Sequence, residues 1–279
     1  MRVSFLFAAL VMGIMAAGPA SGQSTGQSTG LKRMTLRQDL LGYEAVGRLD
    51  LGGGGYCTGV LIAPDLVLTA AHCLADVRAG RSDVTKLRFR AGLRDGVAVS
   101  ERGVARAVMH PSYRPGAGTN AENVRYDTAL VQLDKPIPAA TADPFIVDRL
   151  AVGKQNVSVV SYAQGRSDAL SRQAQCGVVG RYLGLFAFDC DVTFGASGAP
   201  VFDTSGGRAR IVSLISSGQR ADGEALAFGM ELPGVVADMK LALRTGTGVF
   251  PEPSLSARRL KIGEGGGADV STGAKFLRP

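Results

Sequence analysis

The 279-residue chain has no tryptophan and only six tyrosines, and aromatic side chains make up 6% of it. Its formal charge of +7 is carried by basic residues scattered through Arg78 to Arg106 and along the C-terminal stretch, with few aromatics among them. Scattered cations with no Trp and few Tyr for stacking read as a solvated face rather than a nucleic-acid surface, so no nucleic-acid partner is expected. Histidine is scarcer still, with two residues. Because the cysteines also lack close zinc-type spacing, no metal is expected, and no motif asks for a cofactor. Long apolar runs are missing too. The stretch from Val3 to Ala17, broken by Ser4 and Gly13, is shorter than the ~20 residues that span a bilayer. It follows Met1-Arg2 and precedes the small residues Pro19-Ala20-Ser21-Gly22, the layout of a secretory signal peptide over 1–22. No integral membrane span is expected after its removal. No cysteine precedes Cys57, which excludes a lipid-modified N-terminal cysteine.

The four cysteines, Cys57, Cys73, Cys176 and Cys190, are an even number in a chain read as secreted or periplasmic, which favours two disulfides. By spacing alone their pairing stays open. Ser21 to Gly30 repeats Gly-Gln-Ser-Thr, and residues 23–40 read as a flexible linker or propeptide, in which Leu31-Lys32-Arg33-Met34 is either a processing site or a solvated basic patch. From there the chain reads as all-β, with many short apolar runs between glycine and proline turns. Expected strands are Val46–Leu49, Cys57–Ile62, Leu66–Thr69, Leu87–Arg90, Val97–Val99, Val104–Val108 and Leu130–Leu133. Prolines crowd Asp134-Lys135-Pro136-Ile137-Pro138, where a link between two domains, 41–138 and 139–244, is expected. A second strand set follows: Asn156–Ser161, Ala174–Val179, Ala187–Cys190, Pro200–Phe202, Ala209–Ile215 and Leu226–Met230. Gly234–Leu243 fits a helix, and 245–279 is a low-complexity tail with little to pack.

Chemistry concentrates at Phe194-Gly195-Ala196-Ser197-Gly198-Ala199-Pro200. Flanking glycines let the backbone turn sharply around Ser197, and such a turn can aim the Gly195 and Ser197 amides at a developing oxyanion. Gly-x-Ser-Gly is also an ordinary polar turn. Two further stretches raise its meaning: Thr69-Ala70-Ala71-His72-Cys73 and Asp127-Thr128-Ala129-Leu130 stand upstream, giving the order His, Asp, Ser. An α/β-hydrolase needs a histidine after its serine, and none follows Ser197.

These three stretches resemble the chymotrypsin (trypsin-like) family of serine proteases over roughly Tyr43 to Leu243, and within it bacterial secreted members such as glutamyl endopeptidases. The resemblance implies two antiparallel six-stranded β-barrels with the site between them and a C-terminal helix. It selects the pairings Cys57–Cys73 and Cys176–Cys190. It implies a polypeptide substrate, a monomer, and a triad in which Ser197 attacks the scissile carbonyl, His72 takes and returns the proton, and Asp127 orients the imidazole. His110, in His-Pro-Ser-Tyr, has no counterpart role. Asp191 stands where trypsin recognises Lys or Arg, which implies cleavage after basic residues, with Thr193 and Ser213 beside it as further substrate-binding groups. Ser216 is a weaker candidate. Ala196 replaces the carboxylate that trypsin-like zymogens pair with their new N-terminus, so that activation switch is not expected. The alternative is a catalytically silent homologue that binds a partner through the same cleft.

Overall fold

The computed structural model describes residues 30–221 and 224–251. The expected signal peptide, most of the linker and the tail beyond Pro251 lie outside the described residues. The first element is β1 (Leu31–Arg33), so part of the stretch read as linker is a strand.

Six strands then close into a barrel: β2 (Val46–Asp50), β3 (Tyr56–Ala63), β4 (Leu66–Thr69), β5 (Arg88–Ala91), β6 (Ser100–Met109) and β7 (Ala129–Leu133). Their order is β6-β5-β2-β3-β4-β7, and β6–β7 pairing completes the ring, so no edge is left unpaired. The sequence reason is a supply of apolar residues at strand spacing, among them Leu49, Val60, Leu68, Phe89 and Leu130, all fully buried. Each such side chain contributes about 1.5–3 kcal/mol by leaving water.

The second set is β8 (Asn156–Ala163), β9 (Arg166–Tyr182), β10 (Leu185–Phe188), β11 (Pro200–Asp203), β12 (Arg210–Leu214), β13 (Ser217–Ala221) and β14 (Glu224–Met230). The sheet runs β12-β11-β8-β9-β10-β14-β13, with β1 added against β9. No backbone ladder joins β12 to β14 among the described residues. That seam is held by Ser216 N–H to Phe228 O (2.9 Å) and Ser213 Oγ–H to Met230 O (2.8 Å), so the second barrel is a half-barrel by pairing.

The two halves share buried contacts. Tyr43 and Phe145 both pack on Phe202, with ring centroids 5.8 and 4.6 Å away. Tyr162, fully buried on β8, donates its hydroxyl to Leu93 O (2.9 Å). The C-terminal helix, Pro233–Thr245, starts on a proline that needs no amide partner and ends at Gly246 with φ 76°. It buries Val236, Met239 and Leu243 against β6 and β7, and β15 (Val249–Phe250) then pairs with β6. No helix among the described residues is long and apolar enough to cross a membrane.

One local expectation changes, and two elements appear that were not expected. Val97–Val99 forms no strand: it follows a tight turn in which Asp95 and Gly96 take positive φ, Val97 makes only an isolated bridge to Arg94, and its side chain is 71% exposed. The polar β13 shows no alternation and is formed by ladder bonds to β14 alone. A short helix, Ala121–Arg125, precedes Asp127, capped by the Asn120 side chain accepting from Asn123 N–H (2.9 Å).

Candidate active site

Asp127 follows the Ala121–Arg125 helix directly and is 4% exposed, so its carboxylate is desolvated and held only by the partners the fold supplies. Three arrive. His72 N–H donates to Oδ1 (2.9 Å), His72 Nδ1 lies 2.7 Å from Oδ2, and Ser216 Oγ–H donates to Oδ2 (2.6 Å). His72 itself sits in a 3-10 turn, Ala71–Leu74, that leads out of β4 and is tied to β3 by the Cys57–Cys73 disulfide. With Nδ1 turned to the carboxylate, Nε2 is left for another partner. Burial disfavours the imidazolium, but the hydrogen bond and the negative charge of Asp127 more than offset it, and the His72 pKa lies above its ordinary value. The Cys57, His72 and Cys73 side chains cluster, yet the two sulfurs are bonded to each other and offer no thiolate to a metal.

Ser197 and His72 line the same cleft, about 720 Å³ in volume, together with Asp127, Thr193 and Ser216. No hydrogen bond joins Ser197 to His72 among the described residues; such contacts often tighten only when substrate arrives. The loop carrying Ser197 is fixed by the first barrel. Thr58, on β3, donates its N–H to Ser197 O (2.9 Å) and its hydroxyl to Gly195 O (2.9 Å), and accepts from Tyr162 N–H (3.0 Å). Gly195 and Gly198 take φ of 91° and 77°, and a Cβ on Gly198 would also meet Ala70 N at 2.8 Å. Both positions therefore require glycine for conformation as well as for space.

The amides of this loop are aimed by their neighbours' carbonyls. Gln164 N–H donates to Phe194 O (2.7 Å), and Ala199 N–H donates to Ala196 O (2.9 Å). In a trans peptide the N–H points opposite its carbonyl, so the Gly195 and Ser197 N–H groups are turned away from those partners. Neither finds an acceptor among the described residues. Two unsatisfied, oriented donors beside a hydroxyl are what an oxyanion needs.

The other expected substrate-binding residues are placed less uniformly. Thr193 lines the cleft and is exposed. Ser213 does not: it is fully buried on β12 with its hydroxyl bonded to Met230 O, because its side chain faces the seam of the second sheet. Asp191 does not line the cleft either. Its carboxylate is bound by the Arg220 guanidinium from β13, and its N–H donates to Gln173 Oε1 (2.8 Å). Burial lowers the Arg166 pKa, and the charge of Asp191 acts in the opposite direction. The second disulfide, Cys176–Cys190, joins β9 to the segment carrying Asp191. Both disulfides are the pairings that the resemblance selected.

A family model described as a trypsin-like peptidase domain matches residues 57–209, more than half of the chain. The chain belongs to the trypsin-like serine protease family. Among curated relatives it is 40% identical over 98 residues to human serine protease 56, covering 35% of this chain and 15% of that protein. It is 36% identical over 99 residues to human granzyme M, 34% of each chain. It is also 36% identical over 100 residues to the bovine suppressor of tumorigenicity 14 protein homolog, 33% of this chain and 11% of that protein. The chain thus spans a third or less of the length of these relatives. A solved structure of a Glu endopeptidase superposes with a TM-score of 0.61 at 19% identity, covering 76% of this chain and 96% of that one, a likeness of fold.

For a trypsin-like serine protease, two contributors were absent from the sequence reading. Thr58 follows a cysteine inside an apolar strand and reads as an ordinary β residue; only the fold brings it to Ser197. Arg220 sits in a polar stretch with no motif, and its meeting with Asp191, 29 residues away, depends on β13 forming.

Proposed function

We propose that the chain is an exported serine endopeptidase that cuts polypeptides through an acyl-enzyme. Ser197 Oγ forms a bond to the scissile carbonyl carbon as its proton passes to His72 Nε2. The negative charge gathers on the carbonyl oxygen, facing the Gly195 and Ser197 N–H groups. His72 returns the proton to the leaving nitrogen as the C–N bond breaks. Water, deprotonated by the same nitrogen, then releases the acid and restores the serine. Asp127 stays ionised, holds the Nδ1–H tautomer and steadies the imidazolium. The observation that carries the reading is the buried Asp127 carboxylate gripping His72 Nδ1 at 2.7 Å, which leaves Nε2 for the hydroxyl across the cleft. Two disulfides support an oxidising compartment, in keeping with the signal peptide read over 1–22.

The preference for Lys or Arg before the cut bond rested on Asp191. Arg220 against that carboxylate removes its support, and the proposal stands without it. The test is hydrolysis of a quenched peptide library by the full chain and by Ser197→Ala and His72→Ala. Loss of turnover on the order of 10⁴-fold or more in both, with unchanged circular dichroism, is the expected result. Substantial turnover by either variant overturns the assignment.

A further inference from the structure

Asp191 and Arg220 reach each other from two segments whose residues Val192 and Gly218 wall the same cleft. Asp191 lies on the segment between Cys190 and Val192, and Arg220 lies on β13, the edge strand of the second sheet. Arg220 lines the cleft, whereas Asp191 does not. The carboxylate, with its side chain 21% exposed, is less accessible than the guanidinium that binds it, whose side chain is 57% exposed. The walls also touch directly: a Cβ at Gly218 would lie 2.7 Å from Val192 Cγ2. A substrate side chain entering from the cleft therefore meets a cation before it meets the anion. Arg166, at the start of β9, is a second guanidinium within the field of Asp191. Its own side-chain hydrogen bonds go to Ser161 O and Oγ, so Arg220 alone occupies the carboxylate.

Resting on the endopeptidase reading, we propose that Arg220 is a specificity-determining residue. By occupying the Asp191 carboxylate it denies that charge to the substrate and selects against Lys and Arg before the cut bond. A substrate lysine would have to displace a cation already tethered at the carboxylate, an intramolecular competitor whose effective concentration far exceeds that of a peptide. It would also approach an unpaired guanidinium, a repulsion that works as discrimination against the wrong partner. The uncharged side chain carries neither cost. Asp191 on this reading serves to hold Arg220 in place across the pocket.

The test uses matched quenched peptides that differ only in Lys or Gln before the cut bond. Fluorescence titration with 4-aminobenzamidine adds a probe of the pocket that needs no catalysis. The wild-type chain is expected to favour the Gln peptide in kcat/KM and to show no saturable amidine binding. Arg220→Gln is expected to raise the Lys-to-Gln ratio by about tenfold or more and to gain amidine binding. Asp191→Asn added to Arg220→Gln should abolish both gains. A wild-type preference for Lys, or an Arg220→Gln variant unchanged in both ratio and amidine binding, overturns the proposal. Failure of every form to cut any peptide would sink the endopeptidase reading instead, and the titration would still decide whether Arg220 masks Asp191.

Discussion

At His72 two opposing influences set the proton affinity. Burial disfavours the imidazolium, while the hydrogen bond and charge of Asp127 favour it and prevail, raising the pKa above the ordinary value. A general base must be neutral, so the acid limb of kcat/KM should fall above the ~6.5 of a free imidazole. Asp127→Asn removes the raising influences and leaves burial. The limb should then move below the wild-type position, with kcat reduced on the order of 10⁴-fold because the tautomer is no longer held; a pH–rate profile of both forms checks the shift. Linkage runs the other way. A raised folded pKa gives stability that is present in full below the unfolded value and is lost as pH rises through the folded one, so the contact stabilises most where the base is protonated and idle. Thr58 offers a second test. Thr58→Val removes the hydroxyl that donates to Gly195 O and accepts from Tyr162 N–H, leaving the buried Tyr162 N–H unpaired at a cost of about 1–3 kcal/mol and freeing the half-buried Gly195 O. It should lower kcat more than it raises KM, and Thr58→Ser should restore most of the loss.

The elements that carry the site differ in how plainly the residues announce them. β4 and the C-terminal helix are written locally. Leu66-Val67-Leu68-Thr69 is uninterrupted and apolar after a proline turn, and the helix has Pro233 at its start, Gly246 past its end and Val236, Met239 and Leu243 on one face. His72, Asp127 and Ser197 were legible for another reason: each lies in a short motif whose neighbours are fixed by local chemistry. β13 and β1 were not legible, because edge strands without alternation are specified by the partner strand rather than by their own residues. The pocket was only partly legible for the same reason. The position of Asp191 was visible along the chain, but its counter-ion arrives on β13. Met239, fully buried between the helix and the first barrel, gives a measure of how far the helix supports the fold. Met239→Ala should cost about 2–5 kcal/mol in urea unfolding, through lost burial and the cavity left behind.

Over the whole molecule, each half depends on the other. The first barrel supplies His72, Asp127 and the Thr58 anchor; the second supplies Ser197, its amides and the Asp191–Arg220 pair. Each disulfide ties a strand to a site segment, with sequence separations of 16 and 14. Loops of that size correspond to about 3 kcal/mol of restricted unfolded-chain entropy each. Unfolding free energies with and without reductant should therefore differ by about 3 kcal/mol for each bridge opened, and breaking Cys57–Cys73 alone by paired Cys→Ser substitution should also impair turnover, because His72 lies beside it.

The joining of hydroxyl and imidazole across the two halves is read most directly by mass spectrometry of the folded chain after exposure to a fluorophosphonate. The account predicts one phosphonyl adduct, mapped to Ser197 and lost in His72→Ala. Labelling that persists without the imidazole, or a folded chain that takes up no label at Ser197, would contradict it.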